Sequence, residues 1–195
     1  MYDIEYLTSV VRKRMGDYRF HHSVCVSQCA KKLAKRYGAD EEKAEVAGIL
    51  HDATKETPPL EQLELIKRAG FEITDFEKSQ LKFYHQISGA AFAKVELGIE
   101  DEEILNAIRY HTTGKADMSL MEQIIYLADF ISDDRDYKDI DNIRAEADIS
   151  KERGMLYATG YTIKHNVKKY NLLHPQTVEA YNWILETFFI KEKGN

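Results

Sequence analysis

Apolar residues along this chain recur at intervals of three and four, which is typical of amphipathic helices. Such a stripe runs over residues 26–37 and stops at Gly38. Asp40 can cap a second helix, which carries the apolar run 44–50. Thr57-Pro58 predicts an N-cap followed by a first-turn proline, and Gly70 predicts the end of that helix.

The second half of the chain continues the helical pattern. Helices are predicted over residues 86–97, 101–111, 119–131 (where Ser119 and Glu122 form a capping box), 150–170, and from Pro175 onward. Period-two alternation between turn residues is missing, so no sheet is expected. We predict an all-α fold, a single helical bundle of about eight to ten helices over residues 1–195, in which residues 191–195 fray.

Composition narrows the class of protein. The 195 residues carry 27 Lys+Arg against 33 Asp+Glu, a net charge of −6, which argues against broad binding to nucleic acid or acidic membranes. No apolar run approaches the ~18 residues of a membrane span. The only cysteines, Cys25 and Cys29, are too few for a disulfide scaffold or a zinc finger, and we expect small core residues in a reducing cytosol.

The first polar residue on an apolar face is His22. It shares the stripe of Val26, Cys29 and Leu33, whereas His21 falls on a more mixed face. His22 is therefore the better candidate for chemistry. The alternative is a core histidine with satisfied hydrogen bonds.

The pair His51-Asp52 directly follows the apolar run 46–50. A carboxylate in such a place costs several kcal/mol unless it is paired or bound to metal. Lys55 follows three residues after Asp52 and can reach the same pocket. The alternative is a helix C-cap with a surface aspartate.

Asp129 interrupts the apolar segment 124–131, between Ala128 and Phe130. An aspartate inside a helix has poor propensity and a high desolvation cost, which favours a ligand role. The alternative is a polar strip that Asp129 forms with Ser132 and Asp133.

Two further histidines complete a possible ligand set. His85 precedes one apolar helix, and His111 ends another, while His165 and His174 are expected to be exposed or capping. Imidazoles and carboxylates together suit two divalent ions such as iron, manganese or zinc. The candidate metal ligands are His22, His51, Asp52, His85, His111 and Asp129.

This ordered set resembles the HD superfamily of metal-dependent phosphohydrolases, whose pattern is His…His-Asp…Asp. It is most similar to the YqeK-type family of HD-domain symmetrical diadenosine tetraphosphate hydrolases. Residues 110–114 (Tyr-His-Thr-Thr-Gly) and 126–129 (Tyr-Leu-Ala-Asp) carry that closer resemblance. One departure is visible, because Ser132-Asp133-Asp134 stands before Arg135 where relatives commonly have Glu-Pro.

The resemblance implies a cytoplasmic enzyme that cleaves diadenosine tetraphosphate symmetrically into two ADP. It implies two divalent or mixed-valence metal ions, with iron expected first and manganese, cobalt or zinc as alternatives. The six ligands would hold them, with Asp52 as the bridge. Asp52 and Lys55 are the expected catalytic residues, and the expected substrate contacts are Arg19, Lys55, Thr112, Thr113, Gly114 and Arg135.

Two other functions remain open from the sequence. One is an HD phosphohydrolase that acts on nucleoside mono-, di- or triphosphates, and the other is a non-catalytic nucleotide-binding regulator. In each case the partner is a small molecule, with no nucleic acid or membrane. The apolar C-terminal helix with Trp183, Phe188 and Phe189 is either core or the face of a homodimer.

Overall fold

The computed structural model describes residues 1–190, and within them the fold contains eleven α-helices and no strand. The helices are α1 (Ile4–Arg12), α2 (Asp17–Tyr37), α3 (Glu41–Leu50), α4 (Pro59–Ala69), α5 (Asp75–Lys78), α6 (Tyr84–Val95), α7 (Glu102–Tyr110), α8 (Leu120–Ile131), α9 (Ile140–Ile149), α10 (Lys151–Lys168) and α11 (Pro175–Leu185). A 3-10 turn, Leu81–Phe83, precedes α6, and a π-helical turn, Glu186–Ile190, follows α11. The all-α prediction is confirmed. The predicted fraying of residues 191–195 lies outside the described residues.

Helix ends follow the capping chemistry of the sequence. Gly38 adopts a left-handed conformation after α2, with φ of +76°, which a side chain would strain. Asp40 caps α3, and Ser119 forms a capping box with Glu122 at α8. The predicted start of α4 is wrong by one residue. Pro58 is the N-cap and Pro59 is the first helical residue, because the second proline also has the fixed φ that suits a first turn.

Three helices were not predicted from the hydrophobic pattern: α1, α5 and α9. α5 has only four residues and is held by a capping box between Thr74 and Glu77, so it is too short to show a period. α1 buries only Leu7 and Val11. Residues 1–190 therefore contain more helices than the eight to ten expected, and the three unpredicted helices lie outside the strongest apolar stripes.

Helix α3 lies at the centre of the bundle and packs against α1, α2, α6, α7 and α8. Its residues from Val46 to Leu50 are all buried. At Gly48 the backbones of α2 and α3 meet, because a Cβ there would lie 2.6 Å from the Cα of Ser27. This close approach brings the end of α3, and therefore His51-Asp52, beside α2 and His22.

The two cysteines are free and half-buried rather than fully in the core. Cys29 packs against the core, and burial raises the pKa of its thiol to about 12. This thiol therefore stays protonated at neutral pH and is a poor nucleophile.

The C-terminal aromatic residues Trp183, Phe188 and Phe189 are half-buried and pack against the core. Trp183 meets Phe188 edge-on, with ring centroids 5.4 Å apart. These contacts support the interpretation of the three aromatic residues as part of the core, and a homodimer stays a prediction. Within residues 1–190, no helix combines the length and the apolar character that crossing a membrane requires.

Candidate metal centre

The six predicted ligands converge from five helices. His22 lies in α2, His85 in the first turn of α6 and Asp129 in the last turn of α8. His51 and His111 are the C-cap residues of α3 and α7, and Asp52 follows His51 directly. All four histidines and Asp52 are at most 3% exposed, so the inward direction predicted for His22 is correct.

Ligand atoms of these residues lie close enough to share metal ions. His22, His51 and Asp129 form one group, and His51, Asp52 and His111 form a second, with the atoms of each group within 4.8 Å of one another. His85 joins the second group, since its Nε2 lies 3.2 Å from Nε2 of His111 and 3.5 Å from Oδ1 of Asp52. Two adjoining groups of imidazole and carboxylate suit divalent metal binding.

Backbone carbonyls orient three of the imidazoles. Nδ1 of His51 lies 2.7 Å from the carbonyl of Gly48, and Nδ1 of His111 lies 2.8 Å from that of Ile108. Nδ1 of His85 is 2.9 Å from the carbonyl of Lys82. A carbonyl can only accept, so Nδ1 carries the proton and Nε2 turns its lone pair to the centre.

Two atoms of the predicted metal ligands are buried and have no hydrogen-bond partner among residues 1–190: Nε2 of His51 and Oδ1 of Asp52. Leaving such groups unpaired in a dry interior costs about 1–3 kcal/mol each. Both are electron-pair donors that face the same centre. A divalent cation satisfies both at once, so the residues present fit a metal ion.

The protonation states at the centre also suit a metal. Burial lowers the pKa of His51 to about 4, so its imidazole is neutral at pH 7. Burial by itself raises the pKa of Asp52, but its electrostatic interactions with His51 and Lys55 outweigh burial and hold the pKa well below its usual range. The pKa of Asp129 is also well below its usual range, because Arg135 outweighs the opposing effect of burial. Metal ligation needs such neutral imidazoles and ionised carboxylates.

Three cationic side chains surround the carboxylates. Nη1 of Arg19 donates to Oδ2 of Asp52 at 2.7 Å, and Arg135 donates to both the side chain and the carbonyl of Asp129. Nζ of Lys55 lies 2.8 Å from Nε2 of His85 and 3.7 Å from Oδ1 of Asp52. Burial lowers the pKa of Lys55. The centre therefore joins metal-type ligands to side chains that bind anions.

The predicted substrate contacts after α7 separate into two kinds. Oγ1 of Thr112 lies 2.9 Å from Nε2 of His111 and faces the centre. Thr113 is fully buried and donates instead to Oε1 of Gln176, at 3.4 Å. Gly114 forms a turn with φ of +62°, and a Cβ there would lie 3.1 Å from Cβ of Ala180. The structure therefore brings Thr112 to the centre, and it packs Thr113 and Gly114 against α11.

The structural alternatives for the aspartates are wrong. His51 does cap α3, but Asp52 is buried rather than on the surface. Asp129 does not share an exposed strip with Ser132, because Ser132 is fully buried. His174 caps α11 as expected, since its Nδ1 accepts from the N–H of Gln176.

One residue at the centre was missed from the sequence. Asp134 reaches the back of His22, with its Oδ2 2.8 Å from Nδ1. It stands in the segment that departs from the family pattern, and the adjacent pair Asp133-Asp134 after a buried helix was the available signal.

Comparisons with known proteins identify the family of this chain. The model of the HD domain family matches residues 19–133. A symmetrical bis(5'-nucleosyl)-tetraphosphatase of Halalkalibacterium halodurans is 35% identical over 181 residues, which cover 90% of this chain and 94% of that protein. The protein of the same name from Bacillus subtilis is 34% identical over 175 residues, with the same two coverages.

A solved structure has the same fold. It is a crystal structure from Clostridium acetobutylicum, described as a predicted HD superfamily hydrolase involved in NAD metabolism. The TM-score is 0.90 at 36% identity, and the match covers 95% of this chain and 98% of that chain. The fold of this chain is therefore shared with that protein over nearly the whole length.

Proposed function

This chain belongs to the HD domain family, and from that membership we propose that it hydrolyses diadenosine tetraphosphate symmetrically to two ADP. The observation that carries the proposal is the buried centre in which Nε2 of His51 and Oδ1 of Asp52 lack a partner among the described residues. Relatives covered over 94% of their length bear the name of this activity.

We propose that His22, His51, Asp52 and Asp129 hold one metal ion, and that Asp52, His85 and His111 hold a second. When bound, such ions lower the pKa of a water molecule and neutralise charge on phosphate oxygens. We expect iron first, then manganese, cobalt or zinc. The ligand types suit all of these metals, so the metal must be decided by measurement.

The cations at the centre are proposed to bind the phosphates. Arg19 and Arg135 now neutralise Asp52 and Asp129. If those carboxylates instead bind metal, the guanidinium groups are free for another anion, and their paired N–H groups match phosphate oxygens. We propose that Lys55 stabilises the leaving phosphate and that Thr112 donates a hydrogen bond to a phosphate oxygen. Thr113 and Gly114 have a supporting role in this proposal, because their contacts are with α11.

A cavity of about 220 Å³ adjoins the centre and is proposed to take one nucleoside of the substrate. Lys55 and Thr112 form the side that faces the metal ligands. Phe83 offers an aromatic face for a base, and Thr162 and Asn166 of α10 offer hydrogen bonds to it. A larger cavity, of about 410 Å³ between α9, α10 and α11, is lined by none of the proposed ligands and is not assigned to the substrate.

The reaction breaks the central anhydride of the tetraphosphate. Water adds to the second phosphorus from one nucleoside, and the oxygen that bridges to the third phosphorus leaves with the other half as ADP. Each half therefore keeps two phosphates. We also propose that residues 1–195 act as one catalytic domain, since ligands from α2 to α8 and a cavity with α10 together form the site. The proposed location of the enzyme is the cytoplasm.

A product assay tests this function. Purified protein is incubated with diadenosine tetraphosphate, with and without iron, manganese or cobalt, and nucleotides are separated by anion exchange. We expect ADP as the only product and no turnover in Asp52→Ala. ATP together with AMP would contradict symmetrical cleavage, whereas turnover of mononucleotides alone would favour another phosphohydrolase of the same family. Metal-loaded, folded protein without any turnover would favour the binding regulator.

A further inference from the structure

The segment that follows α8 places a carboxylate behind His22. Oδ2 of Asp134 lies 2.8 Å from Nδ1 of His22, and the Asp134 side chain is only 6% exposed. On the opposite edge of the ring, Nε2 of His22 lies 3.0 Å from Oδ1 of Asp129. The imidazole is thus held at both nitrogens, with Nε2 directed to the centre.

Asp134 is itself held in place by hydrogen bonds. Oγ of the buried Ser132 donates to Oδ1 of Asp134 at 2.7 Å. Arg144 of α9 donates to the carbonyls of Ile131 and Ser132, at 3.1 and 2.6 Å. The carboxylate that faces His22 is therefore fixed by the turn and does not depend on a mobile surface rotamer.

His22 differs from the other imidazoles of the centre in this partner. His51, His85 and His111 each direct Nδ1 to a neutral backbone carbonyl. His22 directs Nδ1 to a charged carboxylate. A carboxylate that accepts a hydrogen bond from Nδ1–H fixes the tautomer of the imidazole. It also makes Nε2 a stronger electron-pair donor than a backbone carbonyl in the same place would.

We infer that Asp134 is a positioning residue for His22, which orients the imidazole and strengthens Nε2 as a metal ligand. The inference rests on the proposed function only in that it takes His22 as a ligand. It also explains the sequence Ser132-Asp133-Asp134, which departs from the family pattern. This turn supplies both the carboxylate that faces His22 and the hydroxyl that holds the carboxylate.

The neighbouring Asp133 provides a matched control. Its side chain is 81% exposed and lies 3.7 Å from Nζ of Lys32, away from the centre. Asp133→Asn and Asp134→Asn make the same chemical change one residue apart and change the net charge equally. A difference between these variants therefore reports the contact with His22 and not the overall charge.

The test measures metal binding without nucleotide. Full-length wild type, Asp134→Asn, Asp134→Ala and Asp133→Asn are titrated with Co²⁺ against a competing chelator, and the visible absorption of the bound Co²⁺ is recorded. Loss of a carboxylate behind a ligating histidine typically weakens metal affinity 10- to 100-fold, and we expect about that from Asp134→Ala. Asp134→Asn keeps an acceptor oxygen and should lose less. Asp133→Asn should match wild type in affinity and spectrum.

Melting temperatures of the metal-free proteins separate positioning from folding. Weakened Co²⁺ binding with an altered spectrum, in variants that still melt cooperatively, supports the inference. If Asp134→Ala fails to fold, Asp134→Asn carries the comparison. Equal affinity and spectrum in the Asp134 and Asp133 variants would overturn it, as would a lowered melting temperature alone. Because no substrate is used, this inference can hold even if the enzyme cleaves a different nucleotide.

Discussion

Asp52 and Glu77 are both buried carboxylates beside arginine and histidine, but their oxygens are used differently. Oε1 of Glu77 accepts from Arg109 at 2.6 Å, and Oε2 accepts from the backbone and the hydroxyl of Thr74, each at 2.9 Å. Oδ2 of Asp52 accepts from Arg19, whereas Oδ1 has no hydrogen-bond partner in the described residues. Glu77 is therefore saturated, and Asp52 has an oxygen available for a ligand.

The neighbours of the two carboxylates also indicate a structural role for Glu77 and a ligand role for Asp52. Glu77 ties three elements together, since Thr74 caps α5, Arg109 belongs to α7, and His174, the N-cap of α11, lies 3.7 Å away. Asp52 instead faces further electron-pair donors. A buried charge whose acceptors are all used stabilises structure, whereas one that faces other lone pairs is arranged for a cation.

Removing the charge of Asp52 should give the largest effect. We expect Asp52→Asn to lower kcat by more than about a thousandfold, because metal ions supply several kcal/mol of transition-state stabilisation. The metal-free variant should still unfold cooperatively, since the change removes a costly buried charge. Turnover and thermal melting in chelator measure the two effects. Unfolding of this variant together with loss of activity would indicate a structural role for Asp52.

The same kind of substitution at Glu77 should act on stability instead. Glu77→Gln leaves Arg109 buried without its carboxylate, which costs about 3 kcal/mol. For a chain of this size that lowers the melting temperature by roughly 10 °C. Activity per folded molecule should stay near that of wild type. Glu72→Gln, an exposed change, is the control, and equal melting of the two variants would contradict the proposed role of Glu77.

Lys55 tests whether cations at the centre serve the substrate. Lys55→Met should lower kcat/KM about 10- to 100-fold, the usual worth of a charged hydrogen bond. Stability should change little, because a half-buried ammonium is replaced by an apolar chain of similar length. Steady-state kinetics are compared with those of Lys67→Met, which changes an exposed lysine on α4. Unchanged kinetics in Lys55→Met would remove Lys55 from the mechanism.

The pH dependence of stability should show the smallest effect. Burial by itself raises the pKa of Glu77, but His174, Thr74 and Arg109 outweigh it and lower the pKa from 4.5 to about 2. The unfolded chain therefore takes up this proton first. The contribution of ionised Glu77 to the free energy of unfolding is therefore complete above pH 4.5 and is lost as the pH falls towards 2.

Urea unfolding at several pH values between 7 and 3 measures this contribution. The difference in unfolding free energy between wild type and Glu77→Gln should shrink below pH 4.5. The difference between wild type and Glu72→Gln should show no such trend. A constant difference for Glu77→Gln down to pH 3 would mean that its carboxyl titrates normally in the folded protein.

The sequence predicted the long helices well because their signals are local. The stripe before Gly38 and the capping box at Ser119 each lie within a few residues of the helix end they define. α5 has only four residues, and its capping box alone cannot establish a helix from sequence. Thr113 and Gly114 were predicted to contact substrate because the Tyr-His-Thr-Thr-Gly segment resembles that of the family, but their packing against α11 is a long-range contact that a local motif does not reveal.

By itself, the sequence determined the helical class and the types of residue that form the candidate centre. Helical period, caps and the cost of burying charge are properties of short segments, and they single out His22, His51-Asp52 and Asp129. Only the tertiary structure decided which atoms meet. The close approach of α2 and α3 at Gly48 brings His22 beside His51-Asp52, and the turn after α8 brings Asp134 behind His22, 112 positions away. This packing also leaves Oδ1 of Asp52 without a hydrogen-bond partner among residues 1–190. Local physical chemistry sets which side chains need partners, and the packing of the helices supplies them.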